Sequence, residues 1–184
     1  MLRILIAVGL AGLTIGSAWA ESPERRVRLV LQITVDQLRA DLIDRYSSGF
    51  GEGGFKRLLD NGLFYVDAHH RHANTETVVG HTTLATGTDP SVHGMVANVW
   101  LDRASGNLIY NVEDAEYPLL GDGGGVDTKS EIDPTQKLAT TQGRSPRAIQ
   151  STTISDAISL SLGPEAKVFG VSVKDRGAVT MAGH

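Results

Sequence analysis

The pattern of apolar residues changes between two kinds along the chain. Short apolar runs occur at 28–35 (RLVLQITV), 63–70 (LFYVDAHH, which alternates) and 166–173 (AKVFGVSV). Runs of this length are typical of strands, and continuous runs are typical of strands buried on both faces in a parallel sheet. Apolar residues recur at helical spacing over 38–46, 55–61, 77–86 and 153–162. This alternation predicts an α/β fold with a mostly parallel central sheet flanked by helices.

Two of the predicted helices carry clear end signals. The second helix stops at Asn61-Gly62, a normal C-terminal sequence. The helix over 153–162 begins at Thr153, with Asp156 completing a box-like N-terminus, and ends at Gly163-Pro164.

The segment 112–149 shows no sustained periodicity, and we interpret it as a loop or cap insertion. It contains GDGGGVD at 121–127, which invites comparison with phosphate-binding and calcium-binding loops. A Gly-Lys-Ser/Thr ending is missing, and the aspartates at 122, 127 and 133 do not have the EF-hand spacing. The stretch is therefore predicted to be a flexible loop.

The first twenty residues have the pattern of a secretory signal peptide. Arg3 forms a short positive region, 4–16 an apolar core and Ala18-Trp19-Ala20 a small-residue cleavage site. A membrane anchor is the alternative, but the apolar run is shorter than the about 20 residues that a spanning helix needs. We expect a periplasmic or secreted protein that begins near Glu21 and keeps no stable membrane anchor after cleavage.

The remaining 21–184 read as the N-terminal part of one catalytic domain. The chain stops at VTMAGH, directly after what reads as a strand and a turn, without a closing element. We therefore expect the domain to be truncated.

Charge and cysteine content narrow the function classes. The net charge of the 184 residues is -4, and removing Arg3 with the signal peptide makes it more negative, which argues against a nucleic-acid-binding surface. The chain has no cysteine, which excludes disulfides and thiolate metal sites. Any metal would have to be held by carboxylate and imidazole groups.

The stretch NTETVVGHTTLATG, at 74–87, concentrates hydroxyl groups at the start of a predicted helix. Thr75 or Thr77 would serve as a helix N-cap. Alternatively, a hydroxyl at this position lies where backbone N–H groups and the positive end of the helix dipole gather, which suits a nucleophile that attacks a phosphoryl group. The local sequence leaves both interpretations open.

Four further residues are candidates for chemistry. Asp36 follows the first predicted strand, at the sheet edge where α/β folds bind ligands, although a turn or cap aspartate fits equally well. Asn98 is either a turn residue or a hydrogen-bond donor. Lys174 and Arg176 lie two apart at the end of the last predicted strand, where they form either an anion clamp or a solvated strand end.

The histidines are weaker candidates. His69, His70 and His72 are clustered, but neighbours on a strand point to opposite faces, which is poor geometry for zinc. His81 lies four residues after Thr77 and shares its helix face. It would either orient a site there or be a buried structural histidine.

Several spaced motifs together resemble the alkaline phosphatase superfamily, in particular the phosphate-irrepressible, monomeric type of bacterial alkaline phosphatase. These motifs are VDQLRADLIDRY, GGFKRLLDNGLFYVDAHH, TETVVGHTTLATGTDPSVHGMVANVW, SPRAI with TTISDAI, and KVFGVSVKDRGAVTMAGH. They occur in the order of the family and cover nearly the whole predicted mature chain.

The resemblance implies a monomeric hydrolase of small phosphate monoesters that uses two Zn²⁺ ions and a phosphothreonine intermediate. It implies that Asp36 is a metal ligand, that Thr77 is both the nucleophile and a metal contact, and that Asn98, Lys174 and Arg176 bind phosphoryl oxygens. The further aspartate and histidine ligands of the family would lie beyond residue 184, so the isolated chain is expected to be inactive. A phosphodiesterase or nucleotide pyrophosphatase of the same superfamily is one alternative, and a non-catalytic periplasmic protein that binds metals or anions is another.

Overall fold

The computed structural model describes residues 27–121, 127 and 129–184. The described residues divide into two units, 27–33 and 34–184. The signal peptide predicted at 1–20, and most of the loop predicted at 121–127, lie outside the described residues. None of the helices in the described ranges has the length and apolar content that a membrane crossing requires.

The unit 34–184 contains mostly short helices and one small sheet. The α-helices are α1 (Asp41–Tyr46), α2 (Gly54–Asn61), α3 (Thr77–Thr86), α4 (Pro90–His93), α5 (Ile154–Leu162) and α6 (Asp175–Ala182). The strands are β1 (Val99–Leu101) and β2 (Leu108–Tyr110), which pair antiparallel with Val99 opposite Tyr110. Single turns of 3₁₀ helix occur at Ser47–Gly49, Gln136–Leu138 and Gly163–Glu165.

The helices predicted from apolar spacing are present. Helix α2 ends before Gly62, and α3 has the predicted bounds. Thr153 is the N-cap of α5: its hydroxyl oxygen accepts from the Asp156 N–H at 3.1 Å, and the Asp156 carboxylate accepts from the Thr153 N–H at 2.8 Å. Local sequence signals therefore determine these helices.

The predicted strands differ from the structure. Residues 27–33 form no helix or strand, and their apolar side chains, such as Leu29 and Leu31, are exposed. The segments 63–70 and 166–171 likewise form no sheet, and Val171 and Val173 are almost fully exposed. A strand requires ladder partners on a neighbouring segment, and the described residues form one sheet, the antiparallel β1–β2 pair. The described part of the chain is thus a partial α/β fold.

Helix α3 lies at the centre of the packed region and contacts α4, α5 and α6. Its Val78 and Val79 are fully buried and form a core cluster with Met95 and Ile149. A side chain at Gly177, in the first turn of α6, would collide with the Ser172 hydroxyl, 2.5 Å from its Cβ. Glycine at this position therefore lets α6 lie close to its neighbours.

The segment 112–149 is packed in part, and other described residues, such as Leu120 and Ile132, are exposed. Asp114, Asp133, Arg144 and Ser145 are buried, and Glu113 pairs with Arg144 in an isolated antiparallel bridge. The lack of periodicity in the sequence reflects this irregular backbone, whose polar groups bond to side chains.

Candidate active site

Thr77 is the first residue of α3, and its hydroxyl faces Asp36. The distance from Thr77 Oγ1 to Asp36 Oδ2 is 3.4 Å, longer than a normal O–H···O hydrogen bond of 2.5–3.0 Å. The N-cap residue of α3 is Glu76, which makes no side-chain cap hydrogen bond. The hydroxyl of Thr77 is therefore directed at a carboxylate and does not cap its own helix.

Asn98 is fixed against the start of the same helix. Its Oδ1 accepts a hydrogen bond from the Val78 N–H at 3.1 Å, and its own N–H donates to Glu76 Oε2 at 2.6 Å. Its carbonyl oxygen accepts from the side-chain amide of Asn111 at 2.6 Å. Because a backbone N–H can only donate, the side-chain atom of Asn98 that faces the Val78 N–H is the oxygen, and its NH₂ group points away from that N–H.

The structure corrects the location of Lys174 and Arg176. They do not end a strand: Lys174 is the N-cap of α6, and Arg176 lies in its first turn. The two side chains nevertheless converge, because Lys174 Nζ and Arg176 Nη2 each lie 2.6 Å from the same oxygen, Oδ2 of Asp133. The predicted pair of converging cations is present, and in this structure it holds a carboxylate.

The surroundings of the two cations differ. The side chain of Lys174 is 43% exposed, whereas that of Arg176 is 2% exposed. Arg176 also donates to the Tyr110 hydroxyl at 3.3 Å, and that hydroxyl donates to Asp175 Oδ1 at 2.6 Å. Burial alone would lower the pKa of Arg176, but its hydrogen bonds to Tyr110 and Asp133 outweigh burial and raise it.

The residues around Thr77 and the Lys174–Arg176 pair lie near each other at two places. His81, one turn after Thr77, approaches the first turn of α6, where a Cβ on Gly177 would lie 3.9 Å from its Nε2. Asn111, bound to Asn98, directly follows Tyr110, which contacts Arg176. Thr77 thus faces Asp36, Asn98 is bonded to the residues on either side of Thr77, and Lys174 and Arg176 meet at Asp133.

His69 and His72 form hydrogen bonds with groups other than Thr77 and Asp36. His69 Nε2 lies 2.7 Å from Asp67 Oδ1, and His72 is hydrogen bonded to the Asn74 carbonyl oxygen and to Thr83. His81 is half-buried and donates from Nδ1 to the Thr77 carbonyl oxygen at 2.8 Å. That bond fixes the ring of His81 along α3.

The donor set at Thr77 and Asp36 fits part of a metal site. A separation of 3.4 Å is that of two oxygens on one small ion with metal–oxygen bonds of about 2.0–2.2 Å. A catalytic zinc needs three protein ligands. Over the described ranges, no group of three or more His, Asp or Glu side chains is arranged to hold an ion.

Sequence analysis did not identify three residues that shape this site: Glu76, Tyr110 and Asp133. Glu76 has a local signal, since it directly precedes the candidate nucleophile. Tyr110 and Asp133 contact Arg176 from 66 and 43 positions away along the chain. A single sequence contains no signal for such long-range pairing.

Comparison with known proteins identifies relatives of this chain. Residues 30–156 match the family model for type I phosphodiesterase / nucleotide pyrophosphatase. The chain is 35% identical over 185 residues to alkaline phosphatase PafA of Elizabethkingia meningoseptica, covering 100% of the chain and 30% of that protein. It is 30% identical over 193 residues to alkaline phosphatase PhoV of Synechococcus elongatus, covering 98% of the chain and 32% of that protein.

Solved structures of PafA resemble the fold. The wild-type enzyme matches with a TM-score of 0.68 and 37% identity, over 81% of this chain and 26% of that chain. A PafA variant with substitutions at a threonine, an asparagine, a lysine and an arginine also matches with a TM-score of 0.68, at 33% identity, over 82% of this chain and 26% of that chain. The chain thus spans about a third or less of the length of these relatives.

Proposed function

The chain belongs to the type I phosphodiesterase / nucleotide pyrophosphatase family, within the alkaline phosphatase superfamily, and from this membership we propose that the natural protein hydrolyses phosphate monoesters. The phosphoryl group would be transferred first to Thr77 and then to water. The observation that carries the proposal is the position of Thr77: a hydroxyl at the start of α3 faces Asp36, beside the fixed amide of Asn98.

The start of α3 suits the first step. Thr77 Oγ would attack phosphorus, the bond from phosphorus to the ester oxygen would break, and the alcohol would leave. The positive end of a ten-residue helix favours the anionic group at this position. The Asn98 amide, held by the Val78 N–H, would donate to a phosphoryl oxygen without having to reorient. Water would then attack phosphorus and release phosphate and the Thr77 hydroxyl.

Asp36 and Thr77 would hold a metal ion through the two oxygens that face each other. When bound, a divalent ion supplies positive charge that lowers the pKa of the hydroxyl and so makes it a nucleophile near neutral pH. We infer Zn²⁺, with a second zinc in the same site, from the superfamily. A chelator should abolish hydrolysis, and Zn²⁺ should restore it.

Lys174 and Arg176 would bind the phosphoryl group. Lys174 is the exposed member and would contact an oxygen directly, while the buried Arg176, bound to the same Asp133 oxygen, would add positive charge beside it. The threonine and asparagine substituted in the PafA variant have the same separation along the chain as Thr77 and Asn98. The substituted lysine and arginine have the same separation as Lys174 and Arg176.

Substitution of Thr77 tests the proposal. In the natural protein, Thr77→Ala should lower kcat for an aryl phosphate by orders of magnitude, whereas Thr77→Ser keeps a hydroxyl and should retain measurable turnover. Thr75→Ala is the matched control, because Thr75 is exposed and lies two residues earlier. If Thr75→Ala lost turnover and Thr77→Ala kept full activity, Thr77 would not be the nucleophile and the proposal would be wrong.

Phosphodiester or nucleotide pyrophosphate cleavage is the second candidate function, because the matching family model is that of phosphodiesterases. A monoester carries a dianionic group that rewards two fixed cations, whereas a diester has one charged oxygen fewer. We therefore expect a higher kcat/KM for an aryl monoester than for the corresponding diester. A higher value for the diester would favour the second function.

A further inference from the structure

Asp133 lies between the two cations that the site presents. Its Oδ2 is 2.6 Å from Lys174 Nζ and 2.6 Å from Arg176 Nη2. The two nitrogens are therefore no farther apart than twice that distance, and one carboxylate oxygen links them. Asp133 belongs to the segment 112–149, whereas both cations belong to the start of α6.

The Asp133 carboxylate is itself firmly held. Its other oxygen, Oδ1, accepts from the Thr135 hydroxyl at 2.6 Å and from the Thr135 N–H at 2.9 Å. The side chain is 7% exposed. Burial alone would raise the pKa of Asp133, but hydrogen bonds from Lys174, Thr135 and Arg176 outweigh burial and hold the pKa well below its usual range. The Asp133 carboxylate is thus favoured in its ionised form and held by hydrogen bonds on both oxygens.

Lys174 keeps N–H groups that are free to bind a phosphoryl oxygen while it is bound to Asp133. An ammonium group has three N–H donors, and the bond to Asp133 uses one of those of Lys174. Without a carboxylate between them, the two cations would repel each other, and the half-exposed Lys174 side chain would turn towards solvent. A shared, fixed anion therefore keeps both cations close together and pointing in one direction.

We propose that Asp133 is a positioning residue for phosphate binding, which holds Lys174 and Arg176 in the arrangement that receives the phosphoryl group. This inference rests on the proposed function, because it assumes that Lys174 and Arg176 bind the oxygens of the phosphoryl group. Asp133 does not touch the substrate and acts through the two cations. Its four close hydrogen bonds, two from Thr135 and one from each cation, distinguish it from an anion that substrate displaces.

The variant Asp133→Asn keeps the shape of the side chain and removes its charge. Asp114→Asn is the matched control: Asp114 is equally buried and accepts from a hydroxyl, that of Ser145 at 2.6 Å, and from a backbone N–H, that of Glu116 at 3.0 Å. Asp114 contacts neither Lys174 nor Arg176; its nearest cation is Arg147, 3.8 Å away. The control therefore reports the cost of losing a buried, hydrogen-bonded carboxylate away from the pair.

Each variant of the natural protein is made in the wild-type background and in the background Lys174→Ala with Arg176→Ala. Monoester kcat/KM is measured, and the dissociation constant of inorganic phosphate is measured by calorimetry. In the wild-type background, Asp133→Asn should lower kcat/KM by about 10- to 100-fold and should weaken phosphate binding. Asp114→Asn should change both quantities far less. In the double-variant background, the effect of Asp133→Asn should shrink to that of Asp114→Asn.

An undiminished effect of Asp133→Asn in the double-variant background would overturn the proposal, because Asp133 would then act independently of the cations. Tighter phosphate binding in Asp133→Asn would also overturn it and would indicate a competing anion. If the wild-type protein turned over no ester, the proposed function would fail. The phosphate dissociation constants would still decide the role of Asp133.

Discussion

The four threonines of α3 differ in what their hydroxyls contact. Thr82 and Thr86 donate to carbonyl oxygens four residues earlier in the helix, at 2.7 and 2.8 Å, which is an ordinary structural role. Thr83 lies between the rings of two histidines. Thr77 alone among the four faces a carboxylate. The high hydroxyl content of this stretch therefore combines three structural threonines with one candidate nucleophile.

Thr83 is hydrogen bonded to the rings of two histidines, His72 and His93. The Met95 N–H donates to His93 Nδ1 at 3.1 Å, so His93 carries its proton on Nε2 and donates it to Thr83 Oγ1. The Asn74 carbonyl oxygen accepts from His72 Nδ1 at 2.7 Å, and His72 Nε2 lies 2.9 Å from Thr83 Oγ1. These bonds tie α3 to the segment before Thr77.

His93 should make stability depend on pH. Burial, with a smaller contribution from His72, lowers the pKa of His93 below its ordinary value of about 6.5. The unfolded chain then binds a proton at a higher pH than the folded chain, so the free energy of unfolding falls as the pH drops through 6.5. Urea unfolding of the natural protein at pH 7.5 and 5.5 should show this decrease, and His93→Gln should reduce it. His69→Gln, at an exposed histidine, is the control; equal pH dependence in His93→Gln and the wild type would contradict the assignment.

At the scale of elements, the sequence predicts helices better than strands. Helices α2, α3 and α5 depend on spacing and end residues within one segment, and these are visible in the sequence. The segments 28–35, 63–70 and 166–173 have strand-like composition, but a strand also needs a partner that composition does not specify. The prediction for Lys174 is wrong for a related reason: the apolar run before it resembles a strand, but Lys174 is the N-cap of α6, which begins at Asp175.

Helix α5 gives a test of local determination. Thr153→Ala removes a buried N-cap whose hydroxyl oxygen accepts from the Asp156 N–H, and it should lower the free energy of unfolding by about 1 kcal/mol. Ser161→Ala, near the exposed end of the same helix, should change it by less than about 0.5 kcal/mol. Chemical denaturation measures both values. Equal effects of the two substitutions would show that the capping box contributes little.

At the scale of the whole molecule, the candidate site is assembled from distant parts of the chain. Asp36, Thr77, Asn98 and the Lys174–Arg176 pair could be selected from the sequence because each has a motif around it. Asp133 could not, since its role depends on a pairing across 41 and 43 positions that no local pattern encodes. The chain spans 30% of the length of PafA and 32% of that of PhoV, and the remaining metal ligands are proposed to lie outside the residues described.

If the phosphoryl group passes through Thr77, a phosphothreonine intermediate must form there, and it can be detected directly. The natural protein is mixed with an aryl phosphate, quenched in acid within one turnover and digested, and the peptides are analysed by mass spectrometry. We expect phosphate on Thr77, none on Thr75, and no phosphorylated peptide in Thr77→Ala. Phosphate on a different residue, or turnover of Thr77→Ala at the wild-type rate, would contradict this expectation.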